Sequence, residues 1–352
     1  MLVQKFGLTH YDQASSTPGF TLFSGAFSDK VFLINMSGDI VHEWLFQGWS
    51  TNFNYLLPNG NLFTCEKVDD GPPLLGKGGR MCEYDWEGNK VWEHLDEDQH
   101  HDARRLSNGN TVYIAWNKLT SEESKCVKGG LPGTEMNGEI YGEVIREIDN
   151  KGNVVWEFFS NAPEFIDKYA INPLAKRYEF GHANTVAPIT NGDYLVSYRN
   201  LNLLVIIDRK TNKIKWEYHN PELGGQHDAQ LLDNGNILVF ANGFNVPGAM
   251  PFGSQVWELD PISKEIVWKY VPKRNCLTFW SPHISGCQRL ISGNTLICEG
   301  GQGCIFETTP EGEVVWEYIN PYFIEHPVFG EFNWVFRAKR YTKNSPEIRS
   351  RV

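Results

Sequence analysis

A chain of 352 residues with 33 glycines, 18 prolines and 13% aromatic residues has the makeup of many short, aromatic-rich strands joined by tight turns, which argues against a helical bundle or a disordered chain. The formal charge of −11 leaves no basic footprint to follow a phosphate backbone, so nucleic acid is not expected as a partner. The opening MLVQKFGLTH lacks a charged start followed by an apolar stretch, and no later segment reaches bilayer length, so the expectation is a soluble, cytoplasmic protein without a membrane partner.

Taken in order, the first strand candidates are FTLFS, VFLINM and IVHEWLF, the last of which contains the phrase GDIVHEW ending at Trp44. The phrase recurs as GNKVWEH at Trp92, GNVVWEF at Trp156, NKIKWEY at Trp216, KEIVWKY at Trp268 and GEVVWEY at Trp316. Each follows an apolar strand and a short turn, as in CEYDWEGN and VIIDRKTN, which reads as strand, reverse turn, strand. Upstream of five of them lies a second hairpin: NYLLPNGNLFTCE, ARRLSNGNTVYIA, TVAPITNGDYLVSY, AQLLDNGNILVFA and CQRLISGNTLICE. Asn-Gly supplies the positive backbone angles that a two-residue hairpin turn needs.

Two hairpins make a four-stranded blade, and six tryptophan phrases predict an all-β, six-bladed β-propeller occupying residues 1–352 as a single domain. The first blade is one strand short, while NWVFRAKRY near the C-terminus, from Trp334 to Tyr341, has no blade of its own. That segment is predicted to return and complete the first blade, because an open ring would expose unpaired strand edges. The recurring tryptophans are expected to pack between neighbouring sheets. Seven cysteines, an odd number without CxxC spacing, suit reduced and mostly buried thiols.

Alternating strand direction puts the short turns on one face and the long connections, 67–80, 117–140, 161–180, 241–253 and 271–282, on the other. Long loops on a compact scaffold tend to be functional. Histidines open the predicted innermost strands on that face. His101 and His227 each lie seven residues before the turn asparagine, while His182 and His283 lie nine before the equivalent position. An offset of two restores the same facing along a strand, so all four are expected to point into one channel. Asn184 and Asn52 hold the seven-back position in their own blades. By the same alternation His100 should face away from His101, and Asp102 and Asp228 should point off the channel into structural hydrogen bonds. His10, His42, His94, His219 and His326 read as surface or packing residues. Arg199 ends the strand YLVSYR and emerges at the same mouth. A cation beside imidazoles calls for an anion between them, from a ligand or from a loop carboxylate.

The segments HANTVAPITNGDYLVSYRN, GQHDAQLLDNGNILVFANG and GCQRLISGNTLICEGG make the chain resemble the arylsulfotransferase (aryl-sulfate sulfotransferase, ASST-like) propeller family over most of its length. The resemblance implies a transferase that needs no cofactor and acts on a small anionic or phenolic molecule. A histidine would become transiently sulfated by an aryl sulfate and then pass the sulfuryl group to a phenolic acceptor. His227 of QHDA would be that nucleophile, His182 of HANT and Arg199 of SYR the sulfate-binding pair, and His101 of HHDA the histidine assisting proton transfer. The chain departs from well-known members in lacking an evident export signal and an additional N-terminal domain, and His283 has no counterpart in their machinery.

The residues also allow two other readings. His101, His182, His227 and His283 could hold a divalent metal, Zn, Mn or Fe, for a lyase or oxygenase reaction; or the loop face could belong to a non-catalytic binding propeller whose histidines are satisfied internally. Segment 117–140 reads as a lid, with Asn184, His283, Phe279 and Trp280 as substrate-binding residues, the last two by aromatic stacking. Nothing in the sequence sets an oligomeric state.

Overall fold

The protein is described by a computed structural model over residues 5–46, 48–246, 253–349 and 351–352. The Asn-Gly and Ser-Gly turns form as their chemistry requires: Gly60, Gly109, Gly192, Gly235 and Gly293 all take φ between 84° and 93°, a region that costs glycine nothing and other residues about 1 kcal/mol or more. Between these turns the strands pair antiparallel into six blades.

From the axis outward, blade 2 is Ser50–Leu56, Leu62–Lys67, Gly79–Tyr84 and Lys90–Leu95, and blade 3 is Gln99–Arg105, Thr111–Lys118, Tyr141–Ile148 and Val154–Phe159. Blade 4 is Ala183–Pro188, Tyr194–Tyr198, Leu203–Asp208 and Lys213–His219; blade 5 is His227–Leu231, Ile237–Ala241, Gln255–Leu259 and Ile266–Tyr270. Blade 6 comprises Gly286–Arg289, Thr295–Glu299, Cys304–Thr308 and Val314–Ile319. In blade 1 the C-terminal strand Val335–Tyr341 lies innermost, paired to Phe20–Gly25 and followed by Lys30–Ile34 and Ile40–Leu45. The returning strand predicted from the sequence therefore closes the ring, and the six inner strands touch neighbour to neighbour around a complete circle.

Not foreseen was Gly7–Tyr11, which adds a fifth strand to the outer edge of blade 6. The chain ends thus fasten adjacent blades, the C-terminal strand at the axis and the N-terminal strand at the rim, and the added strand covers an outer edge.

Each repeated tryptophan ties its blade to the next. The indole N–H donates to a carbonyl in the outer turn of the following blade at four places: Trp44 to Asp85 (3.0 Å), Trp216 to Pro261 (2.7 Å), Trp268 to Pro310 (2.8 Å) and Trp316 to Met36 (2.9 Å). In the other two blades Trp92 lies under the Arg105 guanidinium, 3.9 Å from the ring centre, and Trp156 packs on Tyr194. Where the N–H is bonded, an amphipathic ring suits this seam, with its body in the apolar gap and its one donor on the neighbouring turn; the Trp156 N–H is buried without a hydrogen bond among the described residues.

The long connections are more ordered than the term lid implies. Within 117–140 the helix Ser121–Cys126 starts at a capping box between Thr120 and Glu123. Within 161–180 the helix Pro163–Lys168 buries Phe165 and Ile166. The strands Lys128–Leu131 and Ala170–Lys176 then pair in parallel, so the two insertions of blade 3 form one anchored cap instead of a free flap. Residues 247–252 of the connection 241–253 lie outside the described residues. A hairpin of Ile324–His326 and Gly330–Phe332 precedes the returning strand.

Candidate active site

The inner strands do not run regularly from turn to mouth. Pairing slips between His100 and Ala103 in blade 3, between Ala183 and Thr185 in blade 4, and between His227 and Gln230 in blade 5. His101 (φ 54°), His182 (φ 50°) and Asp228 (φ 53°) take left-handed backbone angles at these bulges, a strain that non-glycine residues tolerate only where the surroundings enforce it. The facing argument from two-residue alternation therefore does not hold here.

One consequence is that Asp102 and Asp228 reach a cation in the channel instead of pointing off it, while they keep the expected structural hydrogen bonds, accepting from the N–H groups of Val186 and Cys287 in neighbouring blades at 3.0 Å. Arg337, from the returning strand of blade 1, spans the axis to meet them. Its guanidinium donates to Asp102 Oδ1 (3.0 Å), to Asn184 O (2.8 Å) and to Thr185 Oγ1 (3.0 Å), and its Nε stands 3.4 Å from Asp228 Oδ1. Asp102, Thr185 and Asp228 each sit six residues before the turn asparagine of their blades. Arg104 (3.2 Å from Asp102) and Lys339 (3.5 Å from Asp228) complete the pairing, and in blade 6 Gly286 leaves the room that Asp228 occupies.

The imidazoles gather one level above. His101 and His182 meet edge to face with ring centres 4.5 Å apart. His100 does not face away: its Nδ1 lies 2.7 Å from His101 Nδ1, and its ring stacks on Trp116 at 4.3 Å. His227 joins them electrostatically, since it and Arg199 both act on the protonation of His101. Gly76, in connection 67–80, lies so close to His101 that a Cβ there would overlap the ring.

Hydrogen bonds fix which nitrogen of each ring is free. Asn242 gives its amide N–H groups to the carbonyls of Ser281 (2.8 Å) and Ile284 (3.0 Å), so its Oδ1 can only accept, and it accepts from His227 Nδ1 at 2.8 Å. Uncharged His227 therefore carries its lone pair on Nε2. His182 Nδ1 lies 2.7 Å from Glu179 Oε2, and Glu179 Oε1 accepts from the Trp116 indole at 2.7 Å, so His182 likewise leaves Nε2 open and has a carboxylate to balance an imidazolium. Asn242 and Glu179 were not singled out in the sequence.

Burial pushes His101 and His227 well below the ordinary imidazole range; neighbouring imidazoles add to it at His101 and Arg199 adds to it at both. The same desolvation, again with Arg199, lowers His283 to about 4. Uncharged imidazole is the nucleophilic and proton-accepting form.

Arg199 follows the strand Tyr194–Tyr198, and its backbone N–H donates to His182 O at 3.1 Å. Among the described residues its guanidinium makes no ion pair; its one side-chain bond is to Asn200 Oδ1 at 3.3 Å. It borders a narrow cleft shared with Asn172, Asn202, Gly225 and Phe244. Burial lowers the pKa of Arg199 against the opposing pull of Tyr178 and Glu179.

The other expected residues divide. Asn184 is fully buried and donates to Gln226 O at 2.7 Å, a tie between blades 4 and 5. His283 precedes its strand, contacts Trp334 (4.6 Å between ring centres), and keeps Nε2 buried without a partner. Trp280 sides with Phe244, 6.3 Å away at the cleft. Phe279, expected as a stacking surface, is instead only 2% exposed among Phe240, Tyr270 and Phe306, because its apolar ring fills the seam between blades 5 and 6. Among the described residues no three His, Cys, Asp or Glu side chains stand where they could hold one metal ion, and no helix is long and apolar enough to cross a membrane.

Fold and site together give a six-bladed propeller with a buried histidine cluster and, beside it, an arginine that makes no ion pair among the described residues. The sequence model of the arylsulfotransferase (ASST) family matches residues 57–321, and the chain belongs to that family. No curated protein matches the chain. Among solved structures it is similar to a protein of unknown function from Bacteroides caccae, at 16% identity and a TM-score of 0.58, covering 92% of this chain and 99% of that one. It is also similar to a streptogramin B lyase, at 12% identity and a TM-score of 0.51, covering 96% and 93%. At these identities the likeness is one of fold.

Proposed function

We propose that the protein transfers a sulfuryl group from an aryl sulfate to a phenolic acceptor through a sulfated His227. The observation that carries this reading is the pairing of a nucleophile with a cation: Asn242 leaves His227 Nε2 free to attack, and Arg199, which acts on His227 electrostatically, makes no ion pair among the described residues. Family membership supports the same class of activity.

In the first half-reaction the sulfate oxygens lie against Arg199. The N–S bond to His227 Nε2 forms as the S–O bond to the aryl group breaks, and the departing phenoxide takes a proton from the imidazolium of His182. In the second half the acceptor phenol returns a proton to His182 while its oxygen displaces His227 from sulfur. The chain then regains its starting state. Charge develops on peripheral and bridging oxygens, so fixed donors and cations supply most of the rate, with one such donor worth about 10²–10³-fold.

The test is release of 4-nitrophenol from 4-nitrophenyl sulfate in the presence of phenol, with trapping of an acid-labile sulfated enzyme. His227→Ala should lose both by at least about a thousandfold. Turnover unchanged in that variant rules the mechanism out.

A further inference from the structure

The resemblance assigns His101 to proton transfer, but the surroundings of His101 suit a different task. His100 and His101 share one hydrogen bond between their Nδ1 atoms, so one ring must donate and the other accept. His100 Nε2 is buried with no hydrogen-bond partner among the described residues. A proton on that atom would be a buried N–H with nothing to receive it, a situation native interiors avoid more strictly than an idle lone pair. His100 therefore carries its proton on Nδ1, and stacking on Trp116 holds the ring in the plane that aims it. His101 accepts at Nδ1 and so presents Nε2–H.

We propose that His100 is a positioning residue that locks His101 in the Nε2–H tautomer, so that His101 donates a hydrogen bond to the sulfuryl or phenolate oxygen while His182 and Glu179 carry the transferred proton. The proposal rests on the sulfotransfer reading for its substrate, and on the two hydrogen-bond patterns for its chemistry. His101 meets His182 and His100 and feels His227 and Arg199 electrostatically, and His100 feels His182 and Lys77; among the described residues neither ring makes an ion pair with a carboxylate, whereas His182 does. An imidazolium at His101 would thus sit among other cationic or cation-forming groups, and an uncharged His101 that surrendered its proton would be left as imidazolate. His182 has Glu179 at 2.7 Å to match the charge it takes on. An uncharged imidazole that polarises without transferring is an effective electrophile in a closed site.

Glutamine separates the two roles, because its amide can donate from the place of Nε2 but cannot shuttle a proton. On the full chain, His101→Gln should lose no more than about tenfold in kcat with either phenyl sulfate or 4-nitrophenyl sulfate, whereas His101→Leu should lose about 10²–10³-fold with both. His182→Gln should lose far more with phenyl sulfate, whose leaving group needs the proton, than with 4-nitrophenyl sulfate. His100→Phe should lower kcat by about tenfold and let the His101 tautomers mix, as read by 15N NMR of histidine-labelled protein. His100→Asn, which restores a donor near Nδ1, should recover both. If His101→Gln is as impaired as His101→Leu and most impaired with phenyl sulfate, His101 is the proton carrier and the proposal fails. A proton found on His101 Nδ1 overturns it as well, and that measurement needs neither turnover nor the His100 variants. Turnover surviving in His227→Ala would instead remove the sulfotransfer reading, leaving the 15N result to decide the tautomer by itself.

Discussion

Two arginines occupy the channel at successive levels, and the protein treats them differently. Arg337 at the axis is almost fully enclosed and meets two aspartates, a carbonyl and a hydroxyl. Among the described residues Arg199 has a single, neutral partner, Asn200 at 3.3 Å. A buried cation that the fold itself neutralises serves the fold; one left unmatched beside uncharged imidazoles raises the local potential for something brought from outside. The difference suits the lower level to structure and, on the proposed function, the upper to ligand binding.

The largest expected effect breaks the lower level. Arg337→Met would take the central cation from Asp102 and Asp228, leaving them Arg104 and Lys339 and the backbone N–H groups of Val186 and Cys287. Removing one partner of a buried charge network costs about 3–5 kcal/mol, so urea denaturation should show a loss of that size. A variant as stable as the parent would mean that the axis is not held by this network.

Acid should separate the levels next. Burial holds His100, His101 and His227 well below 6.5 and His283 at about 4. Unfolding exposes them to protons that the folded state excludes, so their contribution is lost as pH falls below 6.5. Burial acts oppositely on Glu143, raised to about 8 with help from Glu179, and on Glu299, raised to about 7; these hold a proton when folded and favour acid. Between pH 4.5 and 6.5 the four histidines outweigh the two carboxyl groups, and stability should fall with acid by up to about 3 kcal/mol per pH unit. Burial alone would raise Asp228, but Lys339, Arg337 and Arg104 hold it below its ordinary value of 3.8, so the axis should give way only at lower pH. Urea midpoints that stay flat from pH 6.5 to 4.5 would show that the imidazoles are not sealed as described.

The repeat made the fold readable. Turn asparagines and outer tryptophans recur in register, and the orphan strand at the C-terminus had one vacant place to go. The added strand Gly7–Tyr11 was hidden because blade 6 already had four strands and GLTHY carries no turn or tryptophan of its own. At the site, histidine recurrence brought out His101, His182 and His227, but strand alternation misplaced Asp102, Asp228 and His100, since bulges carrying left-handed histidines are invisible to a period of two. A second register would have found more. Eight residues after the turn asparagine stand Trp116, Arg199 and Asn242, near or just beyond the end of each second strand, which respectively supports His100, would meet the proposed anion and orients His227. Glu179, inside an insertion, has no repeat position and could not be found that way.

The smallest effect is the most pointed, because it asks whether Arg199 costs the fold anything. Desolvation opposes its charge, and Tyr178 and Glu179 offset it without an ion pair, so Arg199→Met should be neutral or stabilising by up to about 1 kcal/mol, where the same change at Arg337 is ruinous. Inorganic sulfate supplies the counterpart. At ten times its dissociation constant it should stabilise the parent by about 1.4 kcal/mol through binding linkage, and the variant not at all. Thermal melts with and without sulfate, with chloride at matched ionic strength as the control, give the comparison directly. Equal stabilisation of both proteins would place the anion elsewhere, and a variant destabilised like Arg337→Met would mean that Arg199 is paired after all and that the two levels of the channel do the same work.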